Sequence, residues 1–160
     1  MDKKISGLIQ KVHELFKGKR LTLSVAESCT GGLICHYITT LTGASVFFKA
    51  GVVVYSAEMK KKILGVSSAV MKKHGVVSRE TAKEMAEKMR AAAGTDFSIA
   101  TTGNLGPDVL EGKERGLVYL AVSRNRQTFS EELHLTGNRT ANKEEAALSA
   151  LSFLIEVIER

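Results

Sequence analysis

Tryptophan is absent from these 160 residues, and proline occurs once, at Pro107. Aromatic residues make up only 6%, which leaves little with which to stack the bases of a single-stranded nucleic acid. The two cysteines, Cys29 and Cys35, lie on one short segment and do not form a disulfide framework, so a cytoplasmic location is expected. No apolar run is long enough to span a bilayer, and no membrane partner is expected. The stretch MDKKISGLIQKVHELF has an early acidic residue and no unbroken apolar core, so it does not read as a secretory signal. Four histidines, His13, His36, His74 and His134, are scattered without the spacing of a metal-binding helix. A protein-ligated metal is therefore not expected. Neither a P-loop nor a G-x-G-x-x-G following a strand is present, which removes the main support for triphosphate and dinucleotide sites.

What is present describes a globular chain. Hydrophobic residues make up 44% and charged residues 25%, and the length suits one compact domain over residues 1–160 with a sizeable core. There is no internal repeat, low-complexity tract or linker. The formal net charge of +6 permits nucleic-acid binding, suits a phosphate-bearing small molecule equally well, and is also compatible with a merely solvated basic surface. Basic residues are spread along the chain, with one short cluster at Lys60, Lys61 and Lys62.

Periodicity orders the elements. Ile5, Leu8, Ile9, Val12, Leu15 and Phe16 form a helical stripe ended by Gly18. Leu21 to Val25 reads as a strand. Leu33, Ile34, Tyr37, Ile38 and Leu41 return to helical spacing, closed by Gly43. Ser45 to Tyr55 reads as a second strand with a bend at Gly51. Short helices are predicted over 56–62 and 67–73. A longer one is capped by Ser78 and stopped by Gly94. Phe97 to Ala100 reads as a strand running into a small polar turn, Thr101 to Gly103, followed by a loop over 104–115. Gly116–Ser123 and Gln127–Leu135 form a hairpin, and a final helix follows Asn138. This order predicts an α/β/α layered fold with a mixed, mostly parallel sheet.

The chain is organised around Val25 to Gly32, VAESCTGG, which reads as strand, tight turn, helix. Such turns at the carboxyl ends of strands are where α/β sheets bind ligands. This one carries Ser28, Cys29 and Thr30, and Gly31 and Gly32 allow close approach of backbone and substrate. Backbone N–H groups at the helix start could hold an anion or a developing oxyanion. The turn is either a nucleophile turn with Ser28 as the attacking group or an ordinary strand–helix turn with a Ser or Thr cap. No histidine is placed to activate Ser28. A lysine can serve when burial or a neighbouring charge lowers its pKa. Lys60, just after the second strand, is the candidate, although a lysine in a KKK run is commonly solvated.

Several segments together resemble the competence-damage-protein C-terminal domain family (CinA-like). They are AESCTGG at 26–32, GVVVYSAEMK at 51–60, HGVVS at 74–78, ATTGNLG at 100–106 with Pro107, GLVYLA at 116–121 and GNR at 137–139. Members of that family include stand-alone nicotinamide-nucleotide amidases, which hydrolyse nicotinamide mononucleotide to nicotinate mononucleotide and ammonia. That reaction recycles a by-product such as that left by bacterial DNA ligase. The resemblance implies an α/β/α fold with a five-stranded mixed sheet, a small-molecule nucleotide substrate, and no metal or organic cofactor. Carried over by residue, it implies Ser28 as nucleophile and Tyr55 and Lys60 as the groups that take its proton. Cys29, Thr30 and Gly31 would lie around the oxyanion, and Thr102 and Gly103 on the opposite wall. Arg139 would be the partner of the ribose phosphate. Glu27 would orient the lysine or a ribose hydroxyl, or else support the turn. A homo-oligomer is expected for so small an enzyme, and nucleic acid is the less favoured partner. A non-catalytic nucleotide- or nucleic-acid-binding module is the alternative. The sequence departs from the family at Asn104 and Leu105, at Asp108 to Leu110, at Glu114–Arg115 and at Asn138.

Overall fold

A computed structural model describes residues 1–160. The elements are α1 (Lys3–Lys19), β1 (Leu23–Glu27), α2 (Leu33–Thr40), β2 (Phe48–Val53), α3 (Ala57–Lys62), α4 (Ser68–His74), α5 (Arg79–Ala93), β3 (Phe97–Gly103), β4 (Leu117–Arg124), β5 (Gln127–His134) and α6 (Arg139–Glu159). The five strands form one mixed sheet in the order β2-β1-β3-β4-β5. β1 pairs in parallel with β2 and β3, whereas β3–β4 and β4–β5 are antiparallel. Only β4 therefore runs against the other four strands, which is the mixed, mostly parallel sheet expected from the pattern.

Strand alternation sorts the side chains into two layers. Leu23 and Val25 of β1, Phe97 and Ile99 of β3, and Val118, Leu120 and Val122 of β4 face the larger core, built with α1, α2 and α6. The opposite face is made of small residues. Ala26, Ala100 and Ala121 pack with Met85, Ala86 and Met89 of α5. Ser98 donates a short hydrogen bond to the Ala86 carbonyl, and Arg90 Nε donates to Ser123 Oγ at 3.2 Å. Small side chains let α5 lie close enough for its backbone to meet the sheet directly.

Caps set the helix ends. Asp2, Ser56, Ser67, Ser78 and Asn138 each accept a backbone N–H in the first turn of the helix that follows. α1 runs one residue past Gly18, ending at Arg20 in the left-handed region. Three strand expectations need correction. The segment before β2 is a 3-10 turn, Ala44–Val46, entered through Gly43 at φ +84°, so β2 starts only at Phe48. The irregularity in β2 is a register shift at Lys49, since Leu23 opposes Phe48 and Ser24 opposes Ala50. Gly51 is instead a packing site, because a Cβ there would collide with Cys35 Sγ of α2. Finally, Thr101 to Gly103 is strand rather than turn, paired with Leu120, Tyr119 and Val118.

The carboxyl ends of β1, β2 and β3 are neighbours. Ser28 follows β1, Tyr55 and Lys60 follow β2, and Thr101 to Gly103 end β3. The parallel pairings thus gather at one sheet edge three segments that are far apart in the chain.

Candidate active site

Lys60 is completely buried, whereas Lys61 and Lys62 beside it are exposed. The capping hydroxyl of Ser56 starts α3, a single short turn that faces Lys60 inward. Its Nζ lies 2.8 Å from Ser28 Oγ, 2.9 Å from the Val54 carbonyl oxygen and 3.5 Å from that of Tyr55. Carbonyl oxygens only accept, so they take N–H bonds of the amine. The direction left over points at the Ser28 hydroxyl. No carboxylate is paired with this amine. Burial lowers its pKa from 10.5 to about 8, partly opposed by the field of Cys29. Once neutral, Lys60 can turn its lone pair to the Ser28 proton across this contact, a geometry suited to activating the hydroxyl.

Glu27 supports the turn and does not face a substrate. Its buried carboxylate accepts from Gly32 N at 3.1 Å, Ile34 N at 3.1 Å and Cys35 N at 2.9 Å. These are the amino-terminal donors of α2, so the carboxylate occupies the place where the helix could have held an anion. Of the two roles expected of Glu27, these contacts match support of the turn, and the helix-start N–H groups of Gly32, Ile34 and Cys35 are taken by it. The donors left to the turn are different ones. Gly31 N donates to the Ser28 carbonyl and Leu33 N to that of Thr30, whereas the N–H groups of Cys29 and Thr30 have no partner in the chain.

Thr101 is a residue the sequence reading missed. Its hydroxyl lies 2.8 Å from that of Thr30 and accepts from Ser28 N at 3.5 Å, tying β3 to the nucleophile turn. The available signal was period-two alternation, which places Thr101 on the face of Phe97 and Ile99 and turns Thr102 away. Thr102 Oγ1 donates to the Val76 carbonyl at 2.9 Å and is buried, so it holds the approach to α5. Gly103 is explained by β4, since a Cβ would come within 2.8 Å of the Leu117 carbonyl oxygen and 2.9 Å of Val118 Cα. Thr30 is likewise buried and engaged, which makes it a scaffold residue. Cys29 packs in the larger core, and burial pushes its thiol up to about 12, so it is a weaker candidate nucleophile than Ser28.

Tyr55 does not meet Ser28 through its phenol. The ring is 61% exposed, and its hydroxyl accepts from Arg139 Nη2 at 2.8 Å. Tyr55 reaches the Lys60 amine only through its backbone carbonyl, so of the two side chains only Lys60 touches Ser28. Arg139 Nη1 also donates to the Gly106 carbonyl at 2.7 Å, which links the start of α6 to the 104–115 loop. That loop carries every family departure except Asn138, and two of them, Asn104 and Leu110, bond to each other. Asn104 Nδ2 donates to the Leu110 carbonyl at 3.2 Å, and Asn104 Oδ1 accepts from Leu110 N at 3.0 Å. Leu105 joins the larger core. Glu111 accepts from Val76 N and Val77 N, at 3.0 and 2.9 Å. Nowhere do three or more His, Cys, Asp or Glu side chains converge as a metal site would require.

Fold and site together define a three-layer α/β/α protein that holds a serine–lysine pair at the carboxyl edge of its parallel strands. Residues 5–158 match the family described as CinA C-terminal domain, and the chain belongs to that family. It is 44% identical over 144 residues to a competence-damage inducible protein of Thermoanaerobacter pseudethanolicus, covering 89% of this chain and 35% of that one. A competence-damage inducible protein of Bacillus subtilis is 35% identical over 155 residues, covering 97% of this chain and 37% of the relative. The chain thus spans little more than a third of the curated relatives it matches. Among solved structures, the competence-damaged protein (CinA) superfamily protein of Escherichia coli superposes with a TM-score of 0.94 at 30% identity, covering 98% of this chain and 93% of that one. A competence/damage inducible protein of Agrobacterium tumefaciens gives 0.94 at 31% identity, with coverages of 100% and 98%. No helix is long and apolar enough to cross a membrane.

Proposed function

We propose that this chain is a nicotinamide-nucleotide amidase, hydrolysing nicotinamide mononucleotide to nicotinate mononucleotide and ammonia. One observation carries the reading: the buried amine of Lys60, 2.8 Å from Ser28 Oγ and without a carboxylate partner. An amine held this way is a base poised near neutral pH, and the hydroxyl beside it becomes a nucleophile. The nucleotide amide as substrate rests on the family resemblance, and the cation Arg139 at the same edge is consistent with it.

In the proposed cycle, Lys60 takes the Ser28 proton as Oγ attacks the carboxamide carbon. The N–H groups of Cys29 and Thr30 face the developing oxyanion. Lys60 then returns the proton to the departing nitrogen, and ammonia leaves a nicotinoyl ester on Ser28. Water, deprotonated by the same amine, cleaves that ester and regenerates the hydroxyl. Water is the only co-reactant, and every proton that leaves a nucleophile is returned to a leaving group.

Ammonia release from nicotinamide mononucleotide and from free nicotinamide, measured with wild type and Ser28→Ala, tests the reading. Turnover of the nucleotide that is lost in the variant is expected. Turnover of neither amide, with nucleotide binding that weakens steeply as salt rises, would favour a binding module instead.

A further inference from the structure

A groove of about 830 Å³ runs between α1, α6 and β5, and none of its lining residues belongs to the candidate active site. Phe153 is buried at its base, with Ile5, Leu8 and Leu148 half-buried beside it, so the floor is apolar. The rim is acidic. Asp2, Glu144, Glu145 and Glu156 are exposed, and Glu131 is half-buried between rim and floor. Five of the chain's 17 acidic residues thus line the groove, against one of its 23 lysines and arginines, Lys4. On a chain of net charge +6 this is a local reversal of sign. None of the five carboxylates is in an ion pair. Burial, together with the charge of Glu156, raises the Glu131 carboxyl above its ordinary range. An apolar floor under a negative rim fits an apolar side chain carried beside cations.

The chain presents such a group at its opposite corner. α3 ends in Lys61 and Lys62, followed by Ile63, and all three are exposed, Ile63 at 60%. Lys60 points inward to Ser28, so the outer side of this turn is left to the other three. Leu64 and Val66, which follow, pack in the α5 layer, whereas the groove lies on the layer of α1 and α6. β2, which precedes α3, and β5, which borders the groove, are the two edges of the sheet. Groove and corner therefore occupy opposite layers and opposite edges, and a chain cannot seat its own corner in its own groove. We propose that the groove between α1 and α6 receives the Lys61–Ile63 corner of a second copy of this chain, with Ile63 against the apolar floor and the two lysines against the acidic rim. Charge complementarity selects this occupant, because the groove repels an acidic surface and the corner supplies both the cations and the apolar group. The two surfaces are different patches, so the contact is head-to-tail. Copies then add into a ring or an open chain and do not stop at two. The inference is independent of the amidase reading, and its test needs no turnover.

Sedimentation velocity on the full chain tests it with wild type, a groove variant (Glu145→Lys with Glu156→Lys) and a corner variant (Lys61→Glu with Lys62→Glu). All four positions are exposed, and circular dichroism checks that the variants fold. Glu144 is left unchanged because it accepts from the Tyr37 hydroxyl. At low salt and high protein concentration the wild type is expected to form species larger than a dimer. These should dissociate toward monomer at about 1 M salt, where the screening length is about 3 Å. Each variant alone should be monomeric. Mixed in equal amounts, the two should form a one-to-one dimer that grows no further, since one supplies the only intact groove and the other the only intact corner. Ile63→Ser should weaken association about 10–100-fold. A wild type that stays monomeric at low salt, association unchanged in either variant, or a mixture that stays monomeric would overturn the proposal.

Discussion

Lys60 Nζ and Ser28 Oγ are 2.8 Å apart although 32 positions separate them in the chain. The contact bridges the ends of two adjacent parallel strands, β1 and β2. It places a buried base against a hydroxyl and leaves the exposed Tyr55 phenol to Arg139.

On the proposed mechanism, deleting either member removes the activated nucleophile. Ser28→Ala should abolish ammonia release, and Lys60→Ala should lower kcat/KM by about 10²–10⁴-fold. Tyr55→Phe keeps the backbone carbonyl that faces Lys60, so its effect should be far smaller and fall mainly on KM. Steady-state kinetics on the three variants check this. A Tyr55→Phe loss as deep as that of Lys60→Ala would move the base to the phenol.

The pH dependence follows from the direction of the lysine shift. In the proposed cycle Lys60 works as the neutral amine, and its pKa is lowered to about 8. Activity (kcat/KM) should therefore rise as pH increases through about 8 and level off above it. Stability has the same sign. The unfolded chain, with the lysine at 10.5, binds the proton more tightly than the folded one, so stability rises between the two values as pH increases. A shift of this size corresponds to about 3 kcal/mol. The wild type should gain roughly that much relative to Lys60→Met between pH 7 and 11, read as the difference between their denaturation free energies. A difference that does not change with pH would mean that Lys60 titrates normally.

Glu27 should matter to the fold before it matters to chemistry. Glu27→Ala leaves three buried or half-buried N–H groups without an acceptor, each worth about 1–3 kcal/mol. A large fall in the denaturation midpoint is expected, with Glu27→Gln in between because its amide oxygen still accepts. A Glu27→Ala protein of wild-type stability that has lost activity would return this residue to the substrate.

Cys29 should be inert. With its thiol pushed up to about 12, about one molecule in 10⁵ carries a thiolate at pH 7. Iodoacetamide should leave Cys29 unmodified in the folded protein, as mass mapping would show. Cys29→Ala should retain most of the activity that Ser28→Ala loses.

The layered fold and most of its elements were legible in the chain because they rest on local signals. Apolar spacing marks α1, α2, α5 and α6, the serines and Asn138 cap their helices, and the short polar link before Gln127 makes the hairpin. The nucleophile turn was legible too, since AESCTGG combines a strand end, a hydroxyl and two glycines. Strand ends were less so. Thr101 to Gly103 look like a turn until β4 pairs with them, and Ser45 looks like strand until Gly43 starts a 3-10 turn.

By itself the sequence determined the order of helices and strands, the position of Ser28 at the end of β1, and the family to which the chain belongs. Only the tertiary structure decided which of three consecutive lysines is buried, that Glu27 faces the helix behind it, and that Tyr55 turns to Arg139. The physical reason is that burial and hydrogen-bond partners are set by long-range packing, and these decide whether a lysine is a solvated charge or a base. Spacing along the chain does not carry that information, because the groups that meet come from different strands of the sheet.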